Sequence, residues 1–346
     1  MMERSLRWLA TLAAVICSHN LAFALDIVLT NDDGFESAYT HAVYRQLKTA
    51  GHRVMISAPA QNQSAKGTAS SFGPIAPLIH DTRAGSIKAG SPGLGSLPDN
   101  ADIHYVDSTP GCSVLYALDK LVPERWGKGA DLVISGPNYG YNLGSAAMDS
   151  GTISAARYAI GRGVPAIAVS NGHKPTKFRG YQDLKEGNID FEIADVVVRL
   201  VVQLETRAKQ DRKPLLPPGV GLNVNIPAFA SGEGGKLRFA MTRLGLQMGV
   251  YFSEDISQDP NVKAFGLEVS GGSRLLVRRH TQSAETTPAG GYRAGYRMGR
   301  LLEGRRHDLG DSGHASGEHS RGARREAAAQ GASIAVSEME PLSSVR

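Results

Sequence analysis

From Asp26 to about Pro227, short β-branched and aliphatic runs alternate with amphipathic stretches. Such alternation is the sequence sign of βαβ units around a mostly parallel sheet. The predicted strands are DIVLT (26–30), HRVMISAP (52–59), IHYVDS (103–108), DLVISG (131–136), PAIAVS (165–170) and LNVNIP (222–227). Between them THAVYRQLKTAG (40–51), CSVLYALDKL (112–121), TISAARYAIGRG (152–163) and FEIADVVVRLVVQLETRAK (191–209) read as helices, two of them closed near Gly51 and Gly163. Nearly continuous apolar strands imply a sheet covered by helices on both faces. The expected fold is therefore α/β and Rossmann-like, with ligands bound in loops at the carboxyl ends of the strands.

The rhythm breaks twice. Residues 73–101 are rich in Gly, Pro and Ser and read as a long surface excursion outside the core. Beyond about Tyr251 it fades again, and residues 271–330 are biased to Gly, Arg, His and Ala, a composition that rarely sustains a packed core. The expected division is 1–24 a leader, 25–250 the α/β domain, and 251–346 a C-terminal arm or disordered tail.

The first 24 residues run from a charged start through the apolar WLATLAAVIC to Ala22-Phe23-Ala24, the pattern of a secretory signal peptide. The apolar run is roughly half of the ~20 residues a membrane span needs. The expectation is an exported protein, periplasmic or secreted, beginning at Leu25. Loss of the leader removes Cys17 and leaves Cys112 alone, so no internal disulfide can form.

Net charge changes the picture less than its +5 suggests. Residues 271–330 carry eleven Arg, no Lys and six acidic residues, which is the whole excess; the rest of the chain is neutral. A nucleic-acid domain would place basic residues on a folded face with aromatic partners. That class is not indicated.

Candidate chemistry begins at the end of the first strand, where DIVLTNDDG places Asn31, Asp32, Asp33 and Gly34 in one loop. Adjacent carboxylates repel unless a cation lies between them, and Mg²⁺ or Mn²⁺ favours carboxylate, amide and hydroxyl oxygens. A solvated Asp-Asp-Gly turn is the plain alternative. Ser64 after the second strand and Asn138 after the fourth supply further oxygens at the same edge, though each also reads as an ordinary loop residue. A helix entered through Ser150-Gly151-Thr152 would aim free amides outward and could bind phosphate. The same residues would serve equally as a helix cap.

TNDDG, AP followed by QNQSA, SGPNYGYNLG, SGTISAARYA, GVPAIAVS, LNVNIP and MTRLG follow one another between Asp26 and Gly245 in the order and spacing of the SurE survival-protein nucleotidases. This stretch resembles that family. The resemblance implies one divalent metal ion per subunit, Mg²⁺ or Mn²⁺, held by Asp32, Asp33, Ser64 and Asn138. It also implies hydrolysis of nucleoside 5′- or 3′-monophosphates and other phosphomonoesters, and a homo-dimer or tetramer joined by C-terminal arms. Asp32 or Asp33 would orient or deprotonate the attacking water, and Ser150, Gly151 and Thr152 would hold the phosphoryl oxygens. No histidine stands in a matched motif, so no general acid is named.

Four departures concern the pocket rather than the metal positions. Gly67-Thr68-Ala69 replaces the family's Gly-His-Ser, Ser145 and Ala146 replace an acidic pair, Asp149 replaces a tyrosine, and Gly111-Cys112 replaces Asp-Cys after Thr109-Pro110. The nearest echo of the family's closing strand is SIAVSEMEPL (333–342). Two other readings stand beside the enzyme. A signalling receiver would need a phospho-accepting Asp after its third strand and a cytoplasmic home. A SurE-like or periplasmic binding protein without turnover would keep the fold and lose the chemistry.

Overall fold

A computed structural model describes residues 24–173, 175–245, 248–258, 274–279 and 333–339. All but the last residue of the expected leader lies outside them, as does most of 271–330. The apolar runs become β1 (Asp26–Thr30), β2 (Arg53–Pro59), β3 (Leu94–Leu97), β4 (Asn100–Val106), β5 (Leu132–Tyr139), β6 (Ala166–Asn171), β7 (Gly221–Ile226), β8 (Arg238–Met241) and β11 (Ser333–Met339). These nine form one sheet in the order β3-β4-β2-β1-β5-β6-β7-β11-β8, parallel except at β3/β4 and β7/β11. A second ribbon pairs β9 (Met248–Ser253) with β10 (Arg274–Arg279).

Because strand side chains alternate between faces, the sheet carries two cores. Ile27, Leu29, Ile56, Ile134 and Ile167 pack with α1 (Ala38–Thr49) and α5 (Ile189–Asp211), which brings in Val43, Leu47, Val197 and Leu200. Val28, Met55, Val133 and Ala168 face the other way, onto α2 (Pro110–Tyr116) and α4 (Gly151–Gly161) through Val114, Ile153 and Ala156. Helices thus cover both faces, as continuous apolar strands require.

Three elements differ from the sequence expectation. The helix expected over 112–121 runs on past that point: α2 passes through a π turn (Ala117–Leu121) into α3 (Val122–Trp126). Pro123 lacks the amide that would bond residue 119, and its ring crowds that carbonyl, so the turn widens there. The Gly- and Pro-rich excursion is not wholly outside the core. Leu78, Ile87 and Leu97 are buried against it, and its end forms the β3/β4 hairpin. Finally, β11 lies inside the main sheet, with Ile334, Val336 and Met339 buried, so the sheet extends well past residue 250.

Candidate functional site

Strands β1 and β5 are neighbours, but the chain leaves β1 toward β2 on one side and β5 toward β6 on the other. Their carboxyl ends therefore flank the crevice where an open α/β sheet binds its ligand. The loop after β1 is shaped by Asn31, whose amide donates to Gly34 O at 2.9 Å and to Thr40 Oγ1 at 2.8 Å while its oxygen accepts from Gly34 N at 3.0 Å. Gly34 sits at φ +109°, open to glycine and strained for other residues. Thr40 in turn donates to Gly136 O of β5 at 3.3 Å, which ties the two strand ends together.

Inside this frame Asp32 and Asp33 are 3% and 4% exposed. Thr152 Oγ1 donates to Asp32 Oδ1 at 2.6 Å. The first residue of α4 is pressed against the same carboxylate: a Cβ on Gly151 would lie 2.7 Å from Asp32 Cβ and 2.9 Å from Oδ2. Asp33 looks the other way, its Oδ2 accepting from Tyr139 N at 3.3 Å, with Arg83 Nη1 donating to its main-chain oxygen at 3.1 Å. Burial raises the Asp32 pKa, against the hydrogen bonds from Thr152. Burial and then the charge of Asp32 hold Asp33 well above the usual carboxylate range, against the Tyr139 amide and Arg83.

Among the described residues, neither carboxylate has a Lys, Arg or His within ion-pair distance. Two adjacent buried acids with no counterion form a donor set that a hard divalent cation completes. No group of three His, Cys, Asp or Glu side chains gathers among the described residues, so further ligands would be neutral oxygens or water. Asn138 lies at the carboxyl end of β5, its Nδ2 committed to Gly140 O at 2.9 Å. Ser64 is exposed and bonded to Asn62 Oδ1 at 2.7 Å rather than to either aspartate, but its neighbour Gln63 donates its amide to Asp32 O at 2.7 Å. The structure thus brings Asp32, Asp33, Asn138, Gly151 and Thr152 to one crevice and leaves Ser64 at its rim.

Ser150 caps α4 by accepting from Ile153 N at 3.1 Å, and Thr152 is spent on Asp32. At this helix start the side chains cap and orient, and the Thr152 main-chain amide acts on the Asp32 carboxylate. Three departures from the family pattern meet along the Ser64 loop. Gly67 N donates to Asp149 O at 3.0 Å, Thr68 O accepts from Tyr158 OH at 3.0 Å, and Gly111 leaves room for the Tyr158 ring. Sequence spacing offered no sign of Arg83, which stands in the 73–101 excursion.

A family model described as "Survival protein SurE" matches residues 27–249. An acid phosphatase of Yarrowia lipolytica is 37% identical over 203 residues, 58% of this chain and 56% of that protein. A 5′-nucleotidase SurE of Chloroflexus aggregans is 36% identical over 204 residues, 58% of this chain and 66% of that one, and its counterpart in Gloeobacter violaceus 34% over 223, or 64% and 70%. The chain therefore spans less than two thirds of the first two relatives. The crystal structure of the SurE protein from Aquifex aeolicus superposes with a TM-score of 0.54 at 22% identity, covering 92% of this chain and 94% of that one, which bears on the fold. With the family pattern running from β1 to the first residues of β9 and the acid pair seated at the fold's ligand crevice, the chain belongs to the SurE family.

Proposed function

We propose that this protein is an exported, divalent-metal-dependent phosphomonoesterase that hydrolyses nucleoside 5′- or 3′-monophosphates to nucleoside and phosphate, working as a homo-oligomer. The observation that carries the reading is the buried Asp32–Asp33 pair beside the start of α4, with no ion-pair partner among the described residues. The relatives named acid phosphatase and 5′-nucleotidase support the substrate class.

Hydrolysis of a phosphate monoester is mostly charge neutralisation and positioning, because water must approach a dianion. Asp32, Asp33 and Asn138 would hold the cation, with Ser64 reaching it by a turn of its exposed loop. When bound, the cation supplies neutralising charge and a lowered pKa for water. Thr152 fixes the Asp32 carboxylate by its hydroxyl and amide, and the Gly151 amide would bring the positive end of the helix toward the phosphoryl oxygens. Whichever of Asp32 and Asp33 is not a tight ligand of the cation would orient or deprotonate the attacking water.

The test is hydrolysis of p-nitrophenyl phosphate and of nucleoside 5′- and 3′-monophosphates after EDTA treatment and return of Mg²⁺ or Mn²⁺. Turnover restored by metal and abolished in Asp32→Asn is expected. A folded protein that binds the metal yet turns over none of these esters would be a binding protein instead.

A further inference from the structure

On the Asp33 side of the crevice stands the 73–101 excursion, which carries none of the seven motifs quoted for the resemblance. Glu36, 1% exposed, draws the excursion inward: its carboxylate accepts from Thr82 Oγ1 at 2.8 Å, Ala84 N at 2.7 Å and Ser86 N at 2.9 Å. Three anchors within five residues fix the backbone on both sides of Arg83. That side chain is then held at two points, by Asp33 O at 3.1 Å and by the face of Phe178, whose ring centroid lies 3.9 Å from the guanidinium carbon. Phe178 itself meets the Tyr139 ring edge-on at 6.4 Å, so the platform rests on the residue whose amide holds Asp33.

Charge gives this arrangement its meaning. Two carboxylates and one divalent cation sum to zero, and a phosphate monoester then brings about two negative charges. Arg83 is the cation that acts on Asp33, and an arginine pinned by one nitrogen still offers the other edge of its fork. We propose that Arg83 is a substrate-binding residue, donating to the phosphoryl oxygens from the Asp33 side while the Gly151 amide of α4 approaches from the Asp32 side. This rests on the phosphomonoesterase reading, and it assigns phosphate recognition in part to an excursion that carries none of the family's motifs.

The experiment compares the parent protein with Arg83→Gln and Arg83→Lys, reading KM and kcat for p-nitrophenyl phosphate, the inhibition constant of orthophosphate, and orthophosphate affinity by calorimetry on the metal-loaded protein. A charge-assisted hydrogen bond corresponds to roughly ten- to a hundredfold in affinity. Arg83→Gln should raise KM and the orthophosphate constants together by about tenfold or more, with kcat changed far less, and Arg83→Lys should recover part of the loss. Orthophosphate affinity unchanged in Arg83→Gln, or a loss confined to kcat that lysine does not relieve, would overturn the proposal. If the parent turns over no ester, the enzyme reading fails by itself and calorimetry alone decides Arg83: a tenfold loss of orthophosphate affinity in Arg83→Gln upholds it, equal affinities overturn it.

Discussion

Asp32 and Asp33 differ by one position in sequence and by everything around them in the fold. Asp32 meets Thr152 and Gly151; Asp33 meets the Tyr139 amide and has Asp32 as a repelling neighbour. The adjacency was legible in DIVLTNDDG, but the asymmetry was not, because it depends on contacts more than a hundred residues away. A stability prediction follows from the sign of the Asp33 shift. Its pKa lies above the ordinary 3.8 in the fold, through burial and then Asp32. The folded state therefore keeps a proton that the unfolded chain releases, and without metal its stability falls as pH rises from 3.8 through the folded value. Asp33→Asn should be more stable than the parent in EDTA at pH 7, with the advantage fading toward pH 4 in urea titrations. Equal midpoints at both pH values would show that Asp33 is not held uncompensated. At Gly151 the expectation is kinetic. A methyl there must displace Asp32, so Gly151→Ala should lose roughly tenfold or more in turnover while its far-UV spectrum stays that of the parent.

Elements with local signals were legible, and those completed by distant partners were not. Strands β1, β2, β5, β6 and β7 lie within a few residues of their expected places because each is a dense apolar run flanked by turn residues. The excursion hid its role because Leu78, Ile87 and Leu97 are scattered among glycines and prolines, and distant residues, Glu36 above all, gather the backbone between them. Strand β11 hid for a related reason. It is seven residues long, follows an Arg-rich stretch, and gains its order from β7 and β8. A chain ending before Ser333 should therefore lose more than an arm. Burial of Ile334, Val336 and Met339 is worth about 1.5–3 kcal/mol per side chain, so the unfolding free energy should drop by several kcal/mol and the urea midpoint fall with it. Replacing residues 281–330 by a flexible linker of about 20 residues should leave the midpoint near the parent's. If truncation and linker behave alike, β11 contributes nothing to the sheet.

At the scale of the whole molecule, the sheet order explains why residues from distant stretches share one crevice. The chain builds β2, β4 and β3 on one side of β1, then crosses to β5, β6 and β7 on the other, so the loops after β1 and β5 part above the same seam. The same order bears on the leader that the sequence leads us to expect. Asp26 is the first residue of the central strand, fully buried, and paired with Arg53 and Lys128, while Ala24 is exposed and Leu25 only half-buried. A peptidase cutting after Ala24 would free the segment 1–24 without removing any sheet residue, since the Asp26 amide is already satisfied by Asp131 Oδ2 at 2.8 Å. Cutting two residues later would remove both that amide and the buried carboxylate. Material recovered from the periplasm or medium should therefore begin at Leu25 by intact-mass measurement and be as stable as a cytoplasmically produced 25–346 chain. Recovery of protein that still carries Met1, or of a terminus beyond Asp26 with stability unchanged, would show that the leader and the sheet do not meet at this boundary.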